Sequence, residues 1–336
     1  MTIDLQTWLA LTVEDPIEPE LPIIDPHHHL WEYPNSRYLL KELLEDIGSG
    51  HNIVQTVFVE CLSQYRLTGP KEMRPVGETE FVRDIATSNA AGQFGPTQVA
   101  AGIVGFADLT LGDAVVPVLE AHLEAGDGRF RGIRHAVAWH ASDQINNAHT
   151  RPPEGLLMDL HYREGFACLR KFDLSFDAWI YHTQMAELAE LARAFGDTLI
   201  ILDHVGTPLG IGPYEGQRKE GFTEWRRGID ILAACDNVVV KLGGLGMKVC
   251  GFGWHRQPKP PTSQMLAEAM APYINYCLER FGVARCMFES NFPVDRPSCA
   301  YGVLWNAFKR ISASMSPAEK AALFHGNAAR AYGLDA

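Results

Sequence analysis

Three consecutive histidines end an apolar run near the start of the chain. The run LPIIDPHHH covers residues 21–29. Side chains alternate along a β-strand, so His27 and His29 would share one face and His28 would point to the other. Two imidazoles at that spacing can bind one metal ion, or one anionic or carbonyl oxygen. The alternative is a histidine run with only one important residue, which fits a predicted strand end less well.

Other histidines and an arginine belong to later apolar runs. Residues 202–206 read Leu-Asp-His-Val-Gly at the end of the sixth run, and the fifth run ends in Tyr181 and His182. Arg134 lies inside the fourth run, where a charged arginine must be paired or face the mouth of a site. We predict that Arg134 binds a carboxylate or an oxyanion, with a structural salt bridge as the alternative. A lone histidine at a strand end is usually structural. Several histidines at the same end of neighbouring strands instead predict a functional cluster, and His204 would belong to it.

Acidic side chains stand in the second and eighth runs. Glu60 lies near the end of the second run, Glu289 and Asn291 lie in the eighth, and Asp295 follows just beyond. Buried carboxylates are rare unless paired, so Glu60 and Glu289 are predicted to contact a histidine or an arginine. Glu289 shares a face with Asn291 and lies one layer deeper. Both support of the histidine cluster and proton transfer remain open for Glu289.

Eight short β-rich runs alternate with helical patterns along the chain. They cover residues 21–29, 56–62, 99–109, 130–139, 174–182, 198–206, 237–244 and 286–292. This alternation predicts a parallel α/β sheet, and runs that are apolar on both faces favour a closed (β/α)8 TIM barrel. No Gly-x-Gly-x-x-Gly follows the first run, which argues against a doubly wound dinucleotide-binding domain. We predict an N-terminal extension over residues 1–21 and a single barrel domain over residues 22–336.

The longest irregular connections follow the fourth, sixth and seventh runs. They cover residues 140–162, 206–220 and 244–262. Active sites of such barrels lie at the carboxyl ends of the strands, so these extended loops are candidate lids or substrate-binding segments. Most aromatic side chains there are expected to pack the loops onto the barrel. The candidate substrate-binding residues are Arg134, Tyr181, His182, Trp139 and His255.

Composition excludes several classes of protein. The 336 residues are 46% hydrophobic and 21% charged, unlike disordered, collagenous or coiled-coil chains. A net charge of -12 disfavours nucleic acids and anionic membranes as partners and leaves a small-molecule substrate. Seven cysteines without a Cys-x-x-Cys pair indicate neither a disulfide framework nor a thiolate zinc site. Without a basic leader or an apolar span of about 20 residues, we expect a cytoplasmic protein, and a homo-oligomer stays open.

In this order the motifs resemble those of the amidohydrolase superfamily. The resemblance rests on the His27 and His29 pair, on Leu-Asp-His-x-Gly-x-Pro at residues 202–208, and on Ser-Asn-Phe-Pro-Val at residues 290–294. It is closest to the amidohydrolase-related (amidohydrolase 2) branch, which includes sugar-acid lactonases and 2-pyrone-4,6-dicarboxylate lactonase. The pattern at residues 325–332 is also typical of that branch. The resemblance extends from about residue 22 to residue 334.

The resemblance implies hydrolysis at the C-terminal face of a (β/α)8 barrel. His27, His29 and His204 match the histidine cluster, and Arg134 falls on the arginine-bearing fourth strand. Asn291 stands where the family usually has an aspartate, and a neutral amide is a poor metal ligand and a poor base. The fourth strand offers no lysine to bridge a second metal. One zinc ion held by the three imidazoles, or a site without metal, both remain open.

The leading functional hypothesis is hydrolysis of a lactone of a carboxylate-bearing small molecule, a sugar acid or an aromatic-degradation product. Water would add to the carbonyl while the three imidazoles polarise its oxygen. Candidates for the base are Asp295, then Glu60, then a neutral histidine, with Asn291 orienting the water. One alternative is metal-dependent non-oxidative decarboxylation of an aromatic acid, which the missing aspartate disfavours. Another is a non-catalytic barrel that binds a small molecule.

Overall fold

A computed structural model describes residues 4–90 and 95–335 of the chain. Its strands are β1 (Ile23–His28), β2 (Trp31–Tyr33), β3 (Ser36–Tyr38), β4 (Ile53–Val59), β5 (Gln98–Gly105), β6 (Phe130–Ile133), β7 (Ser175–Ala178), β8 (Ile200–Leu202), β9 (Val238–Leu242) and β10 (Cys286–Phe288). The pair β2 and β3 forms an antiparallel hairpin. The other strands form an 8-stranded parallel sheet in chain order.

The sheet closes on itself through the segment that follows β10. Asn291 N donates to His27 O at 3.0 Å, and His29 N donates to Phe292 O at 2.8 Å. These bonds join the last strand segment to β1, so the ring has no free edge at this end. The prediction of a (β/α)8 TIM barrel is confirmed.

Helices surround the barrel, and at least one follows each of its strands. They are α1 (Leu5–Leu9), α2 (Leu40–Ile47), α3 (Val76–Ala90), α4 (Val116–Gly126), α5 (Leu160–Ala167), α6 (Met185–Ala194), α7 (Arg218–Ala233), α8 (Ser263–Phe281), α9 (Tyr301–Ile311), α10 (Pro317–Ala321) and α11 (Asn327–Tyr332). Within the described residues, no helix combines the length and apolar character needed to cross a membrane.

Strand alternation divides the apolar residues between two layers. Phe58 of β4 belongs to the large cluster between the sheet and the helices, whereas its neighbours Val57 and Val59 belong to a smaller cluster. That smaller cluster also contains Tyr332 of α11 and Ile24 of β1. The barrel is therefore a packed core rather than a pore, and the polar groups above this layer stand on a rigid base.

Most barrel strands are shorter than the apolar runs that predicted them. β6 ends at Ile133 and β7 ends at Ala178, so Arg134, Tyr181 and His182 lie beyond their strands rather than inside them. The apolar pattern continues because the residues after β6 are also buried, not because the strand continues. The run expected over residues 198–206 likewise supplies only the three residues of β8. A π-helical turn over Ala322–Gly326 separates α10 from α11.

The N-terminal extension packs onto the mouth-side loop that follows β9. Trp8 Nε1 donates to Gln257 O at 3.0 Å. Ser263 N, at the start of α8, donates to Glu14 Oε1 at 2.7 Å. The extension thereby fixes one end of the long loop at residues 244–262.

Candidate active site

Three histidine rings meet at the carboxyl ends of the barrel strands. The ring centroids of His27 and His29 are 5.0 Å apart, and those of His27 and His204 are 4.6 Å apart. His28 points away from them, with its Nε2 2.9 Å from Thr56 Oγ1. The strand alternation expected from the sequence thus separates His28 from the cluster.

Oxygen atoms hold the Nδ1 side of each ring in the cluster. His29 Nδ1 lies 2.7 Å from Val59 O. Glu289 bridges the other two rings, with Oε2 2.8 Å from His27 Nδ1 and Oε1 2.7 Å from His204 Nδ1. Burial opposes ionisation of Glu289, but His204 and His27 outweigh it and hold the pKa of Glu289 at about 2. An Nδ1–H donated to an oxygen leaves Nε2 of His29 and of His204 available for chemistry, whereas Nε2 of His27 lies 3.3 Å from Arg134 Nη1.

The backbone around His204 turns sharply to place its ring. His204 and Val205 have φ angles of 57° and 48°, in the left-handed region that costs energy for side chains with a Cβ. Glu289 Oε1 stabilises this turn by accepting a hydrogen bond from His204 N at 3.0 Å. A Cβ at Gly244 would lie 2.4 Å from the His204 ring, so only glycine fits beside the ring.

Beneath the histidines lies a lysine that sequence reasoning missed. Lys241 Nζ, fully buried on β9, is 2.6 Å from Asp177 Oδ2 and 3.1 Å from Asp203 Oδ1. It is also 3.1 Å from His27 Nδ1. Burial disfavours its charge, but Asp177 and Asp203 reverse that effect and raise the pKa of Lys241. A single lysine in the apolar stretch Val-Val-Val-Lys-Leu was the available signal.

Arg134 is held by Glu60, which also contacts a second missed residue, His149. Arg134 Nε donates to Glu60 Oε1 at 2.8 Å, and Nη2 donates to Glu60 O. His149 Nε2 is 3.0 Å from Glu60 Oε2. Burial opposes ionisation of Glu60, yet His149 and Arg134 hold its pKa at about 2. His149 stands in the long loop after β6, and only the length of that loop pointed to it.

Asn291 and Asp295 form a separate buried pair. Asn291 Nδ2 donates to Asp295 Oδ1 at 2.8 Å, and Gly246 N donates to Oδ2 at 2.8 Å. Burial raises the pKa of Asp295 to about 7. Asp295 is fully buried. Its contact with the site therefore passes through Asn291.

An inner cavity of about 210 Å³ opens above these groups. Its polar lining includes His29, His204, Arg134, His149 and Asn291. The remaining predicted catalytic residues, His27, Glu60 and Asp295, lie behind this wall.

The predicted substrate-binding residues do not all meet at this cavity. Of these residues, Arg134 lines it, and Tyr181 lines an adjoining cavity of about 470 Å³. His255 lines a different cleft of about 360 Å³. Trp139 and His182 line none of these three spaces, and the His182 ring packs 5.1 Å from Tyr214.

One group of side chains has the donor set of a metal site. Ligand atoms of His27, His204 and Glu289 all lie within 4.8 Å of one another. Two imidazoles and a carboxylate are a known ligand set of catalytic zinc, so these residues fit a divalent ion. His29, predicted as a third ligand, is not part of this group.

Comparisons with known proteins extend over almost the whole chain. It is 34% identical over 339 residues to the uncharacterised protein y4mH of Sinorhizobium fredii, covering 93% of this chain and 99% of that protein. It is 25% identical over 322 residues to L-fucono-1,5-lactonase of Burkholderia multivorans, covering 93% and 96%. An amidohydrolase of Burkholderia multivorans solved with bound zinc has a TM-score of 0.72 and 24% identity, covering 93% and 99%. The Amidohydro_2 family of amidohydrolases matches residues 24–334, and this chain belongs to that family.

Proposed function

We propose that this protein is a lactonase that opens a cyclic ester by adding water to its carbonyl. The observation that carries the proposal is the His149 and Glu60 pair, which stands beside the histidine cluster at one small cavity. A base, donors for a developing oxyanion and a confined site for the carbonyl are the parts that ester hydrolysis needs. The similarity to L-fucono-1,5-lactonase supports this reaction class.

His149 is the proposed general base. Its side chain is 23% exposed, whereas Glu60 is fully buried. A carboxylate that accepts Nε2–H fixes the tautomer, leaves Nδ1 free to accept a proton from water, and stabilises the imidazolium that forms. Glu60 itself is a poorer base, because Arg134 and His149 already occupy its two oxygens.

Arg134 and His204 are the proposed donors to the oxyanion. Both line the inner cavity. Burial lowers the pKa of His204, but Glu289 reverses that effect and raises it, which favours a charged ring. Donors fixed in place before the reaction stabilise negative charge without reorganisation. Asn291, which also lines the cavity, would orient the water by hydrogen bonding.

A divalent metal would be held by His27, His204 and Glu289, and His204 would then be a neutral ligand instead of an oxyanion donor. When bound, such an ion would act as a Lewis acid towards the substrate carbonyl. The roles proposed for His149 and Glu60 do not depend on such an ion, because they follow from the contact between these two residues.

A substrate carboxylate has a second candidate partner besides Arg134. Glu60 takes two nitrogen donors of Arg134, which leaves less of the guanidinium for a ligand. Lys248 lines the adjoining cavity and makes no ion pair among the residues that the structure describes. We propose that Lys248 faces the carboxylate, while the role of Arg134 as a carboxylate binder stays a prediction.

The test is a lactone panel assayed by acid release, with carbon dioxide measured in parallel. We expect ring-opened acid and no carbon dioxide. His149→Asn should lower kcat by about 100-fold, which is the usual contribution of a general base, and Glu60→Gln should lower it less. The matched control His161→Asn changes a histidine whose side chain is 75% exposed and should keep wild-type kcat. Unchanged kcat in both His149→Asn and Glu60→Gln would contradict the proposed base.

A further inference from the structure

The inner cavity and the adjoining cavity share an apolar wall. Four side chains, Trp31, Trp179, Met247 and Val294, line both the inner cavity and the adjoining cavity of about 470 Å³. We call these four residues the collar and the adjoining space the outer vestibule. A substituent that extends from the reacting ester towards the outer vestibule would contact the collar.

Neighbouring rings fix the two tryptophans of the collar. The Trp31 ring stacks on His29 with centroids 5.8 Å apart and on Tyr33 at 5.7 Å. The Trp179 ring lies 6.2 Å from the His149 ring, and the Arg134 guanidinium is 5.6 Å from its centroid. Both rings are thereby tied to residues of the site, so the collar is a built feature of the pocket.

Most polar groups of the collar and the vestibule already form hydrogen bonds within the protein. Trp31 Nε1 donates to Ser36 Oγ at 2.9 Å. Tyr38 OH donates to Asp46 Oδ2 at 2.8 Å, and Tyr181 OH donates to Asn146 O. Within the described residues, Trp179 Nε1 is a buried donor without a partner. The collar therefore presents ring faces, a thioether and methyl groups, with Trp179 Nε1 as its one donor without a partner, and Lys248 adds an ammonium group to the vestibule.

We propose that the substrate is a lactone whose ring carries an apolar alkyl or aryl substituent, rather than a polyhydroxylated sugar lactone. This inference rests on the proposed lactonase function. Hydroxyl groups of a sugar lactone that reach the collar would lack partners there, which is costly, whereas an apolar substituent gains by leaving water. A single donor such as Trp179 Nε1 can serve one oxygen and not a ring of hydroxyls.

The experiment compares three lactones with the same six-membered ring: δ-valerolactone, δ-nonalactone and D-glucono-1,5-lactone. We expect kcat/KM for δ-nonalactone to exceed both others by at least about tenfold, a ratio that a few buried methylene groups supply. Met247→Gln places an amide in the collar at similar length and should reduce that ratio at least about fivefold. The control Met265→Gln, at a side chain that is 50% exposed, should leave the ratio unchanged. A higher kcat/KM for the sugar lactone would overturn the substrate class while leaving the lactonase proposal intact.

A binding measurement keeps the two proposals separable if none of the lactones is hydrolysed. Calorimetry with 5-hydroxynonanoate and with gluconate, the ring-opened acids, does not depend on turnover. We expect 5-hydroxynonanoate to bind at least about tenfold more tightly than gluconate, and Met247→Gln to reduce that difference. Equal or tighter binding of gluconate overturns the inference. If no lactone is hydrolysed but 5-hydroxynonanoate still binds more tightly than gluconate, the lactonase proposal is refuted and the apolar ligand class is supported.

Discussion

Lys241 Nζ lies 2.6 Å from Asp177 Oδ2 at the centre of the barrel, and neither side chain is exposed to solvent. Tyr332 OH donates to the same oxygen at 2.6 Å, and Asp203 Oδ1 is 3.1 Å from the ammonium. The ammonium therefore neutralises two carboxylates beneath the histidines. These buried ion pairs make the base of the site part of the barrel core.

Lys241→Met should destabilise the protein by about 3–5 kcal/mol, because it leaves buried carboxylates without a counter-charge. Adding Asp177→Asn to that variant should recover part of the loss, since one of the unpaired charges is then removed. Urea unfolding measures both free energies. Lys248→Met, at an exposed position, is the control and should change stability little. A loss below about 1 kcal/mol for Lys241→Met would contradict the pairing.

Asp295 should destabilise the folded state as pH rises. Burial raises its folded-state pKa from 3.8 to about 7, so the folded state holds the proton more tightly than the unfolded state. The associated stability is fully present below pH 3.8 and is lost as pH rises through 7. Asp295→Asn should therefore gain about 2 kcal/mol relative to wild type between pH 5.5 and pH 8.5 in urea unfolding. Exposed Asp143→Asn serves as the control, and equal differences at the two pH values would refute the assignment.

His122 should make the protein sensitive to acid. Burial lowers its folded-state pKa from 6.5 to about 4, and its neutral ring bonds Thr79 Oγ1 at 2.8 Å and Phe106 O at 2.9 Å. The stability is present above pH 6.5 and is lost as pH falls towards 4. The deficit of His122→Gln relative to wild type should shrink by about 2 kcal/mol between pH 7.5 and pH 5. Exposed His161→Gln should show no such change, and a constant His122→Gln deficit would disprove the assignment.

Zinc binding distinguishes the two predicted ligand sets. We expect one zinc ion per chain in equilibrium dialysis, with binding weakened at least about tenfold by His204→Ala and by Glu289→Gln. His29→Ala weakens binding only if the set predicted from sequence is correct, because His29 is absent from the group that the structure brings together. His255→Asn, in a separate cleft, is the control. Zinc binding that survives both His204→Ala and Glu289→Gln would exclude this site.

The sequence alone determined the barrel, because βα alternation and strand periodicity are local properties that burial on both faces reinforces. It also placed His27, His29 and His204 at one mouth, since the carboxyl ends of parallel strands meet there. Glu289 was expected to contact a histidine, because a buried carboxylate needs a partner.

Only the tertiary structure decided which groups act together. Lys241 meets Asp177 across 64 residues of chain, and His149 meets Glu60 across 89. Neither contact follows from a local pattern. The contact of Lys241 with Asp177 depends on how strands pair around the barrel, and that of His149 with Glu60 depends on the path of a long loop. The collar has the same origin: Trp31 comes from a hairpin, and Trp179, Met247 and Val294 follow three different strands. Their contacts are set by packing in three dimensions, which no spacing along the chain records.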